Sequence, residues 1–252
     1  MRLDALTVEI RPRHPYEAAD LGIRLIADNL RYLAKFWVLS FLPVLLLALC
    51  LDTFNKGGWG AILLWWLKPW YDYGMLWVLS RRVFGDAPGW RDFLRAWPGF
   101  FRTGLPGALL IRRLSWSRAY LMPVRLLEGL QGKALNDRIV LLRRDQTRKA
   151  RMIFQVFSLI EVAMELGLFG LILLLAPSFI HVHDLFGVLD SSPGTAGHAA
   201  VLLLYGTAVS LVEPMYVAAG FMLYLNRRTQ LEAWDIELGL RRMAGRRQDR
   251  GS

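Results

Sequence analysis

The chain reads as an all-α integral membrane protein with about four transmembrane helices plus cytoplasmic interfacial amphipathic helices. Two observations carry that reading: long apolar stretches nearly free of lysine and arginine, and basic segments that alternate with them. Lysine and arginine concentrate in cytoplasmic loops, so the alternation also orients the chain, with both termini in the cytoplasm. A net charge of +10 would, taken alone, suit a nucleic-acid binder. It does not suit one here, because the composition is 54% hydrophobic with ten tryptophans and the basic segments directly flank the apolar ones. In that position anionic headgroups attract each cation by about 1 kcal/mol. The expected partners are therefore the bilayer with its anionic headgroups and a membrane or cytoplasmic protein, with no nucleic acid.

Ahead of the first span, Pro15 stands where a helix can begin, and Ala18, Leu21, Leu25 and Ile26 recur at helical spacing. Residues 15–33 are expected to form an amphipathic helix on the cytoplasmic surface, its wet side carrying Glu17, Asp20, Arg24, Asp28 and Arg31. The first span, 34–51, is marginal against the roughly 20 residues that a hydrocarbon core of ~30 Å demands. It is read as a retained span rather than a cleaved leader, and Cys50, the lone cysteine, as a packing residue with no internal disulfide. A second span at 60–79 holds Trp65, Trp66, Trp70, Tyr71, Tyr73 and Trp77 and is interrupted by Lys68-Pro69, where a kink is expected.

Residues 81–151 are too basic to cross and too apolar for an ordinary loop. Trp90, Phe93, Leu94, Trp97, Phe100 and Phe101 follow helical spacing with arginines between them, which predicts an interfacial helix broken at Pro98. The run 104–111 is too short to cross, although 100–111 could dip in as a re-entrant turn if other helices shield it. A helix capped by Ser115 or Ser117 and bent at Pro123 follows, then a third over 135–144. These pieces are expected to line the inner leaflet and the underside of the bundle. Spans at 152–180 and 199–225 are long enough even when tilted, and the connection 181–198 between them has no lysine or arginine. Thr229 followed by Glu232 has the spacing of a capping box, which predicts a new cytoplasmic helix over 231–244. No repeat or low-complexity linker divides the chain, so 1–252 is expected to be a single membrane domain.

Five ionisable residues fall inside the spans: Lys68, Asp72, Glu161, Glu165 and Glu213. Lys68 with Asp72, and Glu161 with Glu165, lie four apart and so share a helix face. A charge at that depth is opposed by roughly 2.5–3.5 kcal/mol, so the five are expected to face inward as one cluster. Four carboxylates against one ammonium leave an excess of negative charge, which would serve a proton or cation path. Alternatively the cluster is structural: Lys68 pairs with Asp72 or a glutamate, and the remaining acids are protonated and bonded across helices. The second reading is preferred, since no paired inverted halves accompany the cluster. His181 and His183, with His198 and Asp184, are weak candidates for zinc on a short, unspecific motif, and the expected metal is none. There is no Gly-x-Ser-x-Gly nucleophile motif and no phosphate-cradling Gly-x-x-x-x-Gly-Lys, so no catalytic residue and no cofactor are assigned.

The phrases Trp66-Leu67-Lys68-Pro69 followed by Asp72, Leu126-Leu127-Glu128-Gly129-Leu130, and Leu225-Asn226-Arg227-Arg228-Thr229-Gln230-Leu231-Glu232-Ala233-Trp234-Asp235-Ile236-Glu237 carry a resemblance over most of the chain. It resembles uncharacterised inner-membrane proteins of Gram-negative bacteria, whose gene neighbourhoods are associated with transglutaminase-like membrane proteins and MoxR-type ATPases. The resemblance implies a compartment and no mechanism. It highlights Arg227, Arg228, Glu232, Trp234, Asp235 and Glu237. Read physically, that stretch is a capped helix that either docks a partner or folds back on residues 90–145. The function expected from all of this is a non-catalytic inner-membrane scaffold or assembly subunit with a basic, aromatic cytoplasmic face. The alternatives are a small proton- or cation-coupled transporter or channel, and a membrane-embedded enzyme acting on lipid or envelope substrates.

Overall fold

The computed structural model describes residues 11–55, 58–110, 112–144, 146–175 and 195–232, and all regular structure among them is helical. In chain order the helices are α1 (Pro15–Asp28), α2 (Leu30–Asn55), α3 (Trp59–Trp66), α4 (Lys68–Val83) and α5 (Trp90–Arg102), then α6 (Leu105–Leu110), α7 (Arg118–Leu127), α8 (Gly132–Arg143), α9 (Thr147–Leu175) and α10 (Thr195–Glu232). Three helices among the described residues are long and apolar enough to cross a membrane: Leu30–Phe54, Thr147–Leu171 and His198–Glu232. The stretch expected as a further span, 60–79, is divided at Leu67 into α3 and α4, each shorter than the ~17-residue minimum for a crossing helix.

Helix α10 is the hub, with α1, α2, α4, α7 and α9 packed around it. Small residues set how closely these helices approach. A Cβ on Gly22 of α1 would stand 2.5 Å from the Ala218 carbonyl oxygen of α10, and one on Gly220 would collide with Ala119 of α7. Glycine and alanine bring helix backbones into direct contact, where packing takes the place of hydrophobic drive if lipid is the solvent. The predicted apolar face of α1 is thus spent on α10, with Ala18, Ala19, Gly22, Leu25 and Ile26 buried and Glu17, Asp20, Arg24 and Asp28 exposed. Its N-terminal approach is pinned by Asn226, whose Oδ1 accepts from the Arg13 N–H at 2.8 Å while Nδ2 donates to the Arg13 carbonyl at 2.9 Å.

The expected helix over 15–33 ends early, at Asp28. Asn29 is the cause: its Nδ2 donates to the Leu25 carbonyl at 3.0 Å and its Oδ1 accepts from Arg82 Nε at 2.9 Å, a set of bonds that replaces the next helical turn. Helix α2 therefore starts at Leu30, and the span expected to be marginal gains the length it lacked. At its far end Asp52 is buried, and its Oδ1 accepts from the Gly60 N–H at 2.6 Å, which caps the start of α3 and ties it to α2.

Pro98 does not break α5, contrary to expectation. Proline withholds one N–H, from the carbonyl of Leu94, whose side chain is on the exposed side of the helix. The buried side is held on both flanks of Pro98 by ring contacts, with Trp97 stacked on Trp70 at 4.2 Å and Phe93 and Phe100 both against Trp97. Gly74 of α4 makes room for Phe93, the ring of which would lie 3.1 Å from any added Cβ.

The capping box is a second correction. Thr229 and Glu232 lie within α10, with Thr229 Oγ1 donating back to the Leu225 carbonyl at 2.9 Å and Glu232 paired with Arg228 one turn earlier at 2.9 Å. No glycine or proline lies between Leu225 and Glu232, so the segment simply continues. The remainder of the expected 231–244 helix, with Trp234, Asp235 and Glu237, falls outside the described residues.

Candidate functional site

The break at Leu67 decides where Lys68 and Asp72 point. Pro69 occupies the first turn of α4, where a missing N–H costs nothing, but that same absence leaves the Trp65 carbonyl of α3 without its helical donor. Arg113 supplies one: its Nη2 donates to the Trp65 carbonyl, and its guanidinium lies 3.9 Å from the centre of the Trp65 ring. Tyr71 Oη donates to the neighbouring Leu64 carbonyl at 3.1 Å.

Lys68, the first residue of α4, then extends its ammonium between two other helices. Its Nζ is 2.6 Å from Glu161 Oε2 on α9 and 2.7 Å from Glu213 Oε2 on α10. The second oxygen of Glu213 accepts from Arg118 Nη2, and the same nitrogen is 2.9 Å from Asp72 Oδ2. Asp72 is fully buried and its contact with Arg118 is an ion pair not aligned as a hydrogen bond. Beside it, Tyr216 of α10 accepts from the Ala119 N–H at 3.2 Å, which satisfies one of the free donors at the start of α7. Five charges from α4, α7, α9 and α10 thus form one connected network.

Three sequence expectations meet this geometry. Lys68, Asp72, Glu161 and Glu213 do converge, but Lys68 pairs with the two glutamates and not with Asp72, which takes Arg118 instead. Glu165, one turn beyond Glu161, lines the adjoining cavity and makes no ion pair among the described residues. The expected excess of acid over base is largely removed, because Arg113 and Arg118 join Lys68 against Asp72, Glu161, Glu165 and Glu213, leaving three cations against four carboxylates. The sequence reading places the segment of these two arginines on the underside of the bundle. Residues 112–118 in fact enter between α3, α4, α9 and α10, since only there do the guanidinium groups find a freed carbonyl and buried acids. The imbalance of one ammonium to four carboxylates was the signal that further cations had to come from elsewhere.

A cavity of about 500 Å³ adjoins the network, walled by Trp65, Trp116, Phe154, Phe157, Tyr205 and Tyr216 between the charged groups. A second polar cluster lies toward the other end of α10. Arg138 of α8 is 2.8 Å from Glu128 Oε2 and also pairs with Glu232, while Tyr224 Oη donates to Glu128 Oε1 at 2.6 Å. Tyr120 Oη donates to the Leu142 carbonyl at 2.7 Å, and burial pushes its phenol above the ordinary value, so it stays a donor. Of the highlighted C-terminal residues, Glu232 is thereby held by Arg138 and Arg228, and Arg227 Nη2 donates to the Arg144 carbonyl at 3.2 Å. His181 and His183 fall outside the described residues. His198 stands near Gly58, and no group of residues fit to hold a metal occurs among those described.

Fold and site together define an all-helical protein with three helices fit to cross a membrane and a charge network buried where four helices meet. No protein family, curated protein or solved structure matches the chain.

Proposed function

We propose that the chain is a multi-pass protein of a bacterial inner membrane, with both termini cytoplasmic and the broken pair α3–α4 as a fourth crossing. In this reading it is a non-catalytic scaffold or assembly subunit, whose basic and aromatic cytoplasmic face engages anionic headgroups and a partner protein. The observation that supports it best is the pairing inside the network: Asp72, Glu161 and Glu213 each contact a cation, so the charges fix which helices meet and leave none of these three acids unpaired. Buried ion pairs serve such registry better than they serve net stability. Residues 112–118 then form a re-entrant piece. Trp65, which Arg113 touches, is six residues from the start of α3, or about 9 Å at ~1.5 Å per residue.

Purification of the intact protein from native membranes, with identification of what co-elutes, tests the scaffold reading. A partner present in stoichiometric amount supports it. The cavity lined by Glu161, Glu165 and Glu213 favours transport as the second reading. Proton or cation flux into proteoliposomes that disappears in Glu161→Gln or Glu213→Gln would replace the scaffold with a transporter.

A further inference from the structure

Two charged groups on the cavity wall stand outside the network. Arg113 is only 6% exposed, and its Nη2 is committed to the Trp65 carbonyl, but its buried Nε–H has no partner. Glu165 faces the same space from α9. Among the described residues neither forms an ion pair. A buried guanidinium N–H with no hydrogen-bond partner and a carboxylate with no ion pair among the described residues each favour a ligand that brings the opposite charge. Since the two are of opposite sign on one wall, the matching ligand carries an anionic end and a cationic end.

The rest of the cavity narrows the class. Phe154 and Phe157 supply apolar surface between the charges, and the exposed lining residues, Ile62, Trp65, Leu114, Trp116 and Val162, are all apolar or aromatic. A solute arriving from water would meet that apolar surface, whereas the glycerol and acyl chains of a lipid would extend it outward. Ser158 lies on the Glu161 and Glu165 side of α9, three and seven residues before them, and also lines the cavity. A primary ammonium has three N–H donors to share between Glu165 and a hydroxyl, and a trimethylated one has none. Guanidinium groups, in turn, are suited to phosphate oxygens.

We propose that this cavity binds the phosphoethanolamine group of a zwitterionic lipid, with phosphate at Arg113 and ammonium at Glu165, entering sideways between α3 and α9. The proposal rests on the bilayer reading above but not on the scaffold role. Its test is native mass spectrometry of the full-length, delipidated protein titrated with dioleoyl phosphatidylethanolamine, phosphatidylcholine or phosphatidylglycerol, and with soluble O-phosphoethanolamine. One charge-assisted hydrogen bond is worth about 1.5–3 kcal/mol, so the ethanolamine lipid should be retained at roughly tenfold to hundredfold lower concentration than the other two. Glu165→Gln, which removes no ion pair among the described residues, should erase that preference. Arg113→Gln should weaken all three phospholipids together, with its helix content checked by circular dichroism because Arg113 also serves Trp65. Equal retention of ethanolamine and choline lipids, or preference for the glycerol lipid, would overturn the proposal. So would a preference that survives Glu165→Gln. Binding of soluble O-phosphoethanolamine as tight as that of the lipid would overturn the bilayer as its source. None of these outcomes depends on whether a protein partner co-purifies.

Discussion

At Lys68 a single ammonium serves two carboxylates, at 2.6 Å and 2.7 Å, so the cost of removing it is set by the charges left behind. Breaking a buried pair from one side costs about 3–5 kcal/mol, while replacing both partners with apolar groups is close to neutral. Lys68→Met should therefore destabilise the protein by about 3–5 kcal/mol. Lys68→Met combined with Glu161→Leu should recover part of that loss, as read by unfolding in mixed micelles. An additive double mutant would mean that the two side chains do not meet. Which residues belong to this cluster was half legible in the sequence. Charges inside apolar stretches announce themselves through the cost of their depth, and Lys68, Glu161 and Glu213 were found in that way. Arg113 and Arg118 were not, because in a segment crowded with arginine no single one stands out, and their burial depends on contacts with helices distant in sequence. Thr229 and Glu232 misled for a related reason: the three-residue spacing of a capping box also occurs along any uninterrupted helix.

On the scale of elements, the joint between α3 and α4 is the feature to perturb. Pro69 withholds the N–H that Trp65 would have used, and Arg113 stands in. Pro69→Ala should let the two helices join and make Arg113 partly redundant. Arg113→Ala is then expected to cost less in the Pro69→Ala background than in the native chain, by about 1 kcal/mol, the worth of a hydrogen bond. Equal costs in both backgrounds would contradict the joint as described. The contact of α1 with α10 is tested differently. A side chain at Gly22 meets the Ala218 carbonyl oxygen at 2.5 Å, so Gly22→Leu should force the helices apart at a cost of about 1–3 kcal/mol and expose the N-terminal segment to protease. Unchanged proteolysis would place α1 elsewhere. Helix periodicity revealed the apolar face of α1, but not what covers it. A stripe of alanine and glycine fits a headgroup surface and a neighbouring helix equally well until the partner stripe at Ala218 and Ala219 is seen beside it.

For the molecule as a whole, the apolar surface that the fold leaves uncovered matters most. Leu42, Leu46 and Leu47 on α2, and Leu159, Ile160, Val162, Leu166 and Leu174 on α9, are exposed, and an aqueous protein seldom leaves long helices so apolar on their uncovered sides. Helices of this length and composition were readable from hydropathy, since that property belongs to each segment by itself. The arrangement of the basic middle segment was not, because it follows from the meeting of charges across four helices. A bilayer around these helices puts the connection 181–198 on one side and the C-terminal tail on the other. Single-cysteine accessibility measures that directly: with Cys50 replaced by alanine, Ser191→Cys and Ser252→Cys are each exposed to a membrane-impermeant maleimide in intact cells stripped of their outer membrane. With the bilayer between them, position 191 is labelled and position 252 is protected until the membrane is opened. Labelling of both in intact cells, or of neither, would contradict that arrangement.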